Sequence, residues 1–148
     1  MTEIHLMASG HVLWDEVTTL AEACSWRAGP FLAEKMRRGE FKGWERVCAA
    51  RVDGRVAGFC TLTEKDELPG RYGFSPFIGF LFVDERYRGN RLSERMIRQA
   101  GVYARGLGYE KLYVMSGETG LYEKYGFVKM GGYETIYGPV EQLFVKPL

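Results

Sequence analysis

Three arginines, Arg86, Arg88 and Arg91, crowd around Gly89 and Asn90 in Val83-Asp84-Glu85-Arg86-Tyr87-Arg88-Gly89-Asn90-Arg91-Leu92-Ser93, just ahead of a stretch with helical periodicity. The first amides of a helix have no internal partners, and the helix dipole makes that end positive. An anion there is favoured by both effects. Gly89 and Asn90 are residue types that tolerate the tight or left-handed backbone needed to turn successive N–H groups toward one phosphate. The arginines add positive charge and Ser93 adds a hydroxyl donor. The local chemistry is that of a phosphate site. Other phosphate motifs do not compete with it. The Gly-x-x-x-x-Gly-Lys-[Ser/Thr] loop is absent. Gly106-Leu107-Gly108 imitates the opening of a dinucleotide fingerprint, but it ends a helix instead of following a strand.

The elements around this turn follow from periodicity. Phe77-Ile78-Gly79-Phe80-Leu81-Phe82-Val83 is a continuous apolar run, which predicts a strand covered on both faces. Leu92, Met96, Ala100, Ala104 and Leu107 step in fours and threes, predicting a long helix that stops near Gly106 and Gly108. Lys111 to Met115 reads as a strand, Glu118 to Tyr125 as a short helix closed by Gly126, and Phe127–Tyr133 and Gln142–Lys146 as two last strands. Upstream, residues 11–24 form an amphipathic helix through Leu13, Val17, Leu20, Ala21 and Cys24. Pro30 suits the first turn of a second helix. Residues 47–52 and 55–62 form a hairpin about Asp53-Gly54. Glu64 to Pro76 is a polar loop. The order is helix, helix, antiparallel strands, then a strand–long helix–strand crossover, which predicts a mixed sheet of the α+β class.

Composition narrows the function. The 148 residues suit a single domain over 1–148. The net charge of +1 lacks the basic excess that nucleic-acid binding requires. Cys24, Cys48 and Cys60 are odd in number and form no Cys-x-x-Cys pair, and only two histidines are present, so neither a disulfide framework nor a metal site is expected. None of the thiols has a histidine beside it in sequence to support an acyl-cysteine route. With no long apolar leader and no run of ~18 apolar residues, a cytoplasmic protein without membrane association is expected.

Two stretches together carry a resemblance. Arg88-Gly89-Asn90-Arg91-Leu92-Ser93 resembles the [Arg/Gln]-x-x-Gly-x-[Gly/Ala] turn of the GNAT superfamily of N-acetyltransferases. Gly120-Leu121-Tyr122-Glu123-Lys124-Tyr125-Gly126-Phe127 resembles that family's Leu-Tyr-Glu-Lys-x-Gly-Phe segment. The resemblance implies a GNAT-like mixed central sheet flanked by helices, with its fourth and fifth strands splayed around acetyl-coenzyme A. It implies that Arg88, Gly89, Asn90, Arg91, Leu92 and Ser93 bind the pyrophosphate. The backbone of Leu81, Phe82 and Val83 would then pair with the pantetheine arm and polarise the thioester. Tyr122 matches the family's general acid. The expected activity is acetyl transfer from acetyl-CoA directly to a primary amine of a small molecule or peptide, without a metal. The alternative is a catalytically silent acyl-CoA-binding module.

The sequence departs from the family pattern in four places. Arg91 and Ser93 stand where the family has glycine or alanine. The family's strand glutamate is missing from Gly79 and its neighbours, and no asparagine lies between Met115 and Tyr122. The base is therefore unassigned, with Glu64, Glu118 and Glu134 in loops or at strand ends. Trp14, Trp26, Trp44, Tyr72 and Phe74 are candidates for an aromatic acceptor wall or for core. The last strands are open to homodimer pairing, which no residue pattern demands.

Overall fold

The computed structural model describes residues 1–148. Its elements are β1 (Thr2–Met7), α1 (Trp14–Ala23), α2 (Gly29–Arg37), β2 (Arg46–Val52), β3 (Arg55–Thr63), β4 (Phe77–Val83), α3 (Leu92–Gly106), β5 (Lys111–Ser116), α4 (Leu121–Lys124), β6 (Val128–Glu134) and β7 (Val140–Pro147). The seven strands form one mixed sheet in the order β1-β2-β3-β4-β5-β7-β6. Every element expected from periodicity is present, with ends shifted by up to three residues. The addition is β1, an edge strand antiparallel to β2.

Strand alternation sorts the core into layers. On β2, Cys48 and Ala50 face the cluster built on α3, through Leu92, Met96, Ile97, Ala100 and Ala104. Val47 and Ala49 face the opposite cluster, where Val17, Ala21, Leu32 and Met36 of α1 and α2 pack. β3 repeats the pattern, with Cys60 and Leu62 on the α3 side and Phe59 on the other. A third, smaller cluster joins Phe77 of β4 to Tyr113 and Met115 of β5 and Leu143 of β7. No helix is long and apolar enough to cross a membrane.

The middle of the sheet positions the site. β4 and β5 run parallel but pair only at Phe77↔Tyr113 and Ile78↔Val114. Beyond Ile78 the two strands separate, although β4 stays paired with β3 as far as Gly58↔Val83. The separation begins at an irregularity. Thr61 opposes Gly79 and Phe59 opposes Phe82, so Phe80 and Leu81 together face the one residue Cys60. Phe80 takes φ of 48°, a left-handed conformation that bulky residues rarely adopt. A bulge of this kind bends its strand and increases the local twist. The close fit on the β3 side holds the bend in place: a Cβ on Gly58 would lie 2.6 Å from the Phe82 carbonyl oxygen.

Candidate active site

The opening between β4 and β5 leads to two cavities. The first, about 530 Å³, is lined by Val83, Tyr87, Arg88, Gly89, Arg91, Leu92, Ser93, Glu94, Lys124 and Tyr125. Gly89 has φ of 88° and Arg91, the residue before α3, has φ of 58°. No side chain caps α3. Its first intrahelical bond from an amide beyond the cap residue runs from Arg95 N to the Arg91 carbonyl, 3.0 Å. The amides of Leu92, Ser93 and Glu94 are left for a partner outside the helix. A Cβ on Gly89 would meet nothing within 4 Å, so the floor of the turn is open.

The side chains divide differently from the charge reading. Arg86 pairs with Asp84 at 3.1 Å, which holds the Asp84 carboxyl below its ordinary range. Arg88 turns back so that its Nε donates to the Val83 carbonyl at 3.0 Å. Asn90 donates its side-chain amide to the Tyr87 carbonyl at 2.9 Å, closing the turn. Arg86 and Asn90 do not line the cavity, whereas Arg88 lines it and commits only its Nε–H to the Val83 carbonyl. The other donors there are backbone amides, Arg91, Ser93 and Lys124, the last of which the sequence had not singled out. Ser93 lies close enough to Tyr125, the residue after α4, to oppose the rise that burial gives its phenol.

The second cavity, about 350 Å³, is lined by Trp26, Ala28, Asp66, Glu67, Gly79, Phe80, Leu81, Val114, Met115, Ser116, Gly117, Glu118, Leu121, Tyr122 and Glu141. Tyr122 is 5% exposed and packs against Tyr125, Phe127 and Phe144. Burial pushes its phenol up, with the neighbouring Cys60 adding to the shift and a hydrogen bond with Ser116 opposing it. The phenol stays protonated throughout the neutral range. The loop that carries α4 is secured from β7: Gln142 Nε2 donates to the carbonyls of Ser116 and Glu118, each at 3.0 Å.

The two cavities lie along the same two elements. Leu81 lines one and Val83 the other on the β4 side, while Leu121 and Tyr122 line the one, and Lys124 and Tyr125 the other, on the α4 side. Phe82 points away into the core under Trp26, whose ring stacks on it at 6.0 Å. Its backbone stays on the edge that β5 leaves unpaired.

Among the five aromatic residues named as an acceptor wall, Trp26 alone lines this cavity. Trp14 packs on Phe41, Trp44 on Tyr109, and Tyr72 with Phe74 beside Tyr133 and Tyr113. Among the three glutamates held open as bases, Glu118 reaches the cavity, whereas Glu64 and Glu134 do not line it. Asp66, Glu67 and Glu141 do line it and were not identified from sequence. Asp66 sits in a loop of no periodicity, and only the folding of that loop against β4 gives it an environment.

The acetyltransferase (GNAT) family model matches residues 13–127, and the chain belongs to that family. No curated protein matches. Among solved structures, the chain is similar to aminoglycoside 6'-acetyltransferase type Ii, 18% identical with a TM-score of 0.76 over 98% of this chain and 96% of that one. It is similar to a GNAT family acetyltransferase from Elizabethkingia anophelis with acetyl-CoA bound, 15% identical with a TM-score of 0.67 over 99% and 98%. An acetyltransferase from Bacillus anthracis str. Ames in complex with acetyl coenzyme A is 21% identical over 74% of this chain, with a TM-score of 0.61. This chain spans 66% of that protein's length. The shared architecture is the GNAT fold, a mixed seven-stranded sheet with helices on both faces and its parallel β4–β5 pair opened.

Proposed function

We propose that this protein is an acetyl-CoA-dependent N-acetyltransferase that moves an acetyl group directly onto a primary amine of a small molecule or peptide. The observation that carries this reading is the path that the unpaired edge of β4 marks between one cavity at the uncapped start of α3 and a second at Tyr122. The path offers anion donors at one end, free peptide groups along its length and a buried proton donor at the other. A coenzyme with a pyrophosphate, two amides and a thioester matches that sequence of chemistries.

The amides of Leu92, Ser93 and Glu94, with Arg91 and Lys124, hold the pyrophosphate. Gly89 and Asn90 shape the turn, and Arg88 braces it from the Val83 carbonyl. Those peptide groups of Leu81, Phe82 and Val83 that point away from β3 take the pantetheine amides as a sheet takes an added strand. When bound, the coenzyme supplies an activated acyl group. A β4 N–H at the bulge polarises its carbonyl and stabilises the charge that develops on oxygen during attack. As the C–N bond forms and the C–S bond breaks, the nitrogen releases one N–H proton to solvent, and Tyr122 gives its proton to the leaving sulfur and recovers one from solvent. Holding amine and acyl group in one cavity supplies much of the rate. The free thiols of Cys24, Cys48 and Cys60 fit a reducing, cytoplasmic setting.

Calorimetric titration with acetyl-CoA, desulfo-CoA and ATP tests the coenzyme. We expect saturable binding of the first two and much weaker binding of ATP. Thiol release on addition of an amine panel then tests transfer. Binding without transfer to any amine would replace the enzyme by a silent acyl-CoA-binding module. Absence of binding would remove the coenzyme from the reading altogether.

A further inference from the structure

Attack on a thioester requires a neutral amine, and an alkylammonium near pKa ~10 must first lose a proton. The strand position from which a carboxylate would reach the acyl cavity is occupied by Gly79. The space is not left to water. A Cβ built on Gly79 would lie 3.7 and 3.8 Å from the two carboxylate oxygens of Asp66 and 3.0 Å from the Thr61 hydroxyl. The loop between β3 and β4 has brought a carboxylate to the place that the strand leaves empty.

We propose that Asp66 is the proton acceptor for the incoming amine, a carboxylate supplied by the β3–β4 loop in place of a side chain missing at Gly79. This inference rests on the acetyl-transfer reading above. Asp66 lines the same cavity as Tyr122, Leu81 and the bulge at Phe80. It has no ion-pair partner. The cation whose field reaches it, Lys35 on α2, pairs with Glu40 at 3.6 Å. Only the amide of Glu67 supports its charged form by hydrogen bonding.

The other acids are less suited. Glu118 is exposed. Glu141 on β7 accepts from the Gln142 amide at 3.1 Å, and Glu67 is raised by burial and by the Glu141 charge. These three carboxylates and the Tyr122 phenol are the titratable groups that face Asp66 across the cavity. With no basic side chain in its lining, the cavity attracts an ammonium and then presents it to Asp66.

Burial, reinforced by the Glu67 charge, pushes the Asp66 carboxyl up to about 7. A base poised there is about half ionised at neutral pH, fully so above it, and stronger than an ordinary carboxylate. In the step, the R–NH3⁺ nitrogen keeps the electron pair of one N–H bond, the proton moves to an Asp66 oxygen, and the resulting acid returns it to solvent.

The experiment measures thiol release by the full chain with acetyl-CoA and three amines, spermidine, tyramine and a free-amine tripeptide, between pH 5 and 9. The variants are Asp66→Asn, Asp66→Glu, Asp66→Ala and the double variant Asp66→Ala/Gly79→Glu. Calorimetry with acetyl-CoA reports on folding and on the coenzyme site. For wild type we expect kcat/KM to fall below an apparent pKa near 7. Asp66→Asn and Asp66→Ala should lose about 100-fold or more in kcat and abolish that acid limb, with acetyl-CoA affinity within about twofold. Asp66→Glu should retain the limb. The double variant should regain at least tenfold over Asp66→Ala, because the carboxylate then comes from the strand. An active wild type whose Asp66→Asn variant keeps both kcat and the acid limb would overturn the role of Asp66 alone. A wild type inactive on all three amines would overturn the acetyl-transfer reading, and this inference with it.

Discussion

Tyr122 and Asp66 are opposite products of the same physical cause. Tyr122 is buried and Asp66 half-buried, and the loss of water around each penalises the charged form and raises both groups. The phenol is thereby held in its donor form and the carboxylate becomes a better acceptor. Tyr122→Phe should lower kcat by about 10²-fold while leaving acetyl-CoA affinity unchanged, measured by steady-state kinetics beside calorimetry. The Asp66 environment has a cost in stability. The folded state binds this proton up to about pH 7, whereas the unfolded chain releases it near pH ~4. Wild type therefore loses stability relative to Asp66→Asn as pH rises from ~4 to ~7, and the gap stays constant above that. Chemical denaturation should place Asp66→Asn on the order of 3 kcal/mol above wild type at pH 8, relative to their difference at pH 4. Tyr122 could be named from sequence because it lies within a contiguous run of recognisable residues. Asp66 could not, since its neighbours Gly79, Thr61 and Lys35 come from three other elements.

At the scale of elements, the turn before α3 was the most legible feature, because its function depends on local backbone. Gly89 does adopt positive φ, but the second left-handed residue of the turn is Arg91 and not Asn90, at a strain that glycine would avoid. What sequence could not reveal was the fate of the side chains. Arg86 is held by Asp84 outside the cavity, while Arg88 lines the cavity with its Nε–H turned back to the Val83 carbonyl. Gly89→Pro should therefore act through the backbone. It demands φ near −65° where the chain has +88° and removes an amide. We expect acetyl-CoA binding to weaken at least tenfold by calorimetry, with far-ultraviolet circular dichroism unchanged. β1 was missed although Ile4 and Leu6 alternate with Glu3 and His5 as a half-buried strand should. Six residues at an edge, half-buried almost throughout, give a weak signal.

For the whole molecule, the sheet consists of a four-stranded part, β1 to β4, and a three-stranded part, β5 to β7, whose strands meet through two residue pairs. α3 spans the seam, contacting β1 to β4 on one side and β5 on the other. A ligand that adds hydrogen bonds along the seam should stabilise both parts together. At 100 times its dissociation constant, acetyl-CoA should contribute about 2.7 kcal/mol. For a chain of this size that corresponds to a rise in Tm of roughly 5–10 °C by calorimetric scanning, with ATP at the same concentration giving a much smaller rise. Hydrogen exchange should slow at the amides between Gly79 and Val83 that point away from β3 when acetyl-CoA is added, because those amides acquire partners.

The narrowness of that seam also bears on self-association. Unpaired strand edges usually recruit other polypeptides, and proteins guard them with charge, proline or short length. The edge of β4 faces the interior of its own sheet, with the closed pairing at Ile78 and Val114 at its root and α4 alongside. A neighbouring polypeptide would have to thread its chain past that closed root and past α4 to pair there. A thin, unbranched chain of amides meets no such obstacle. The molecule can therefore keep an adhesive surface permanently available without becoming a template for aggregation.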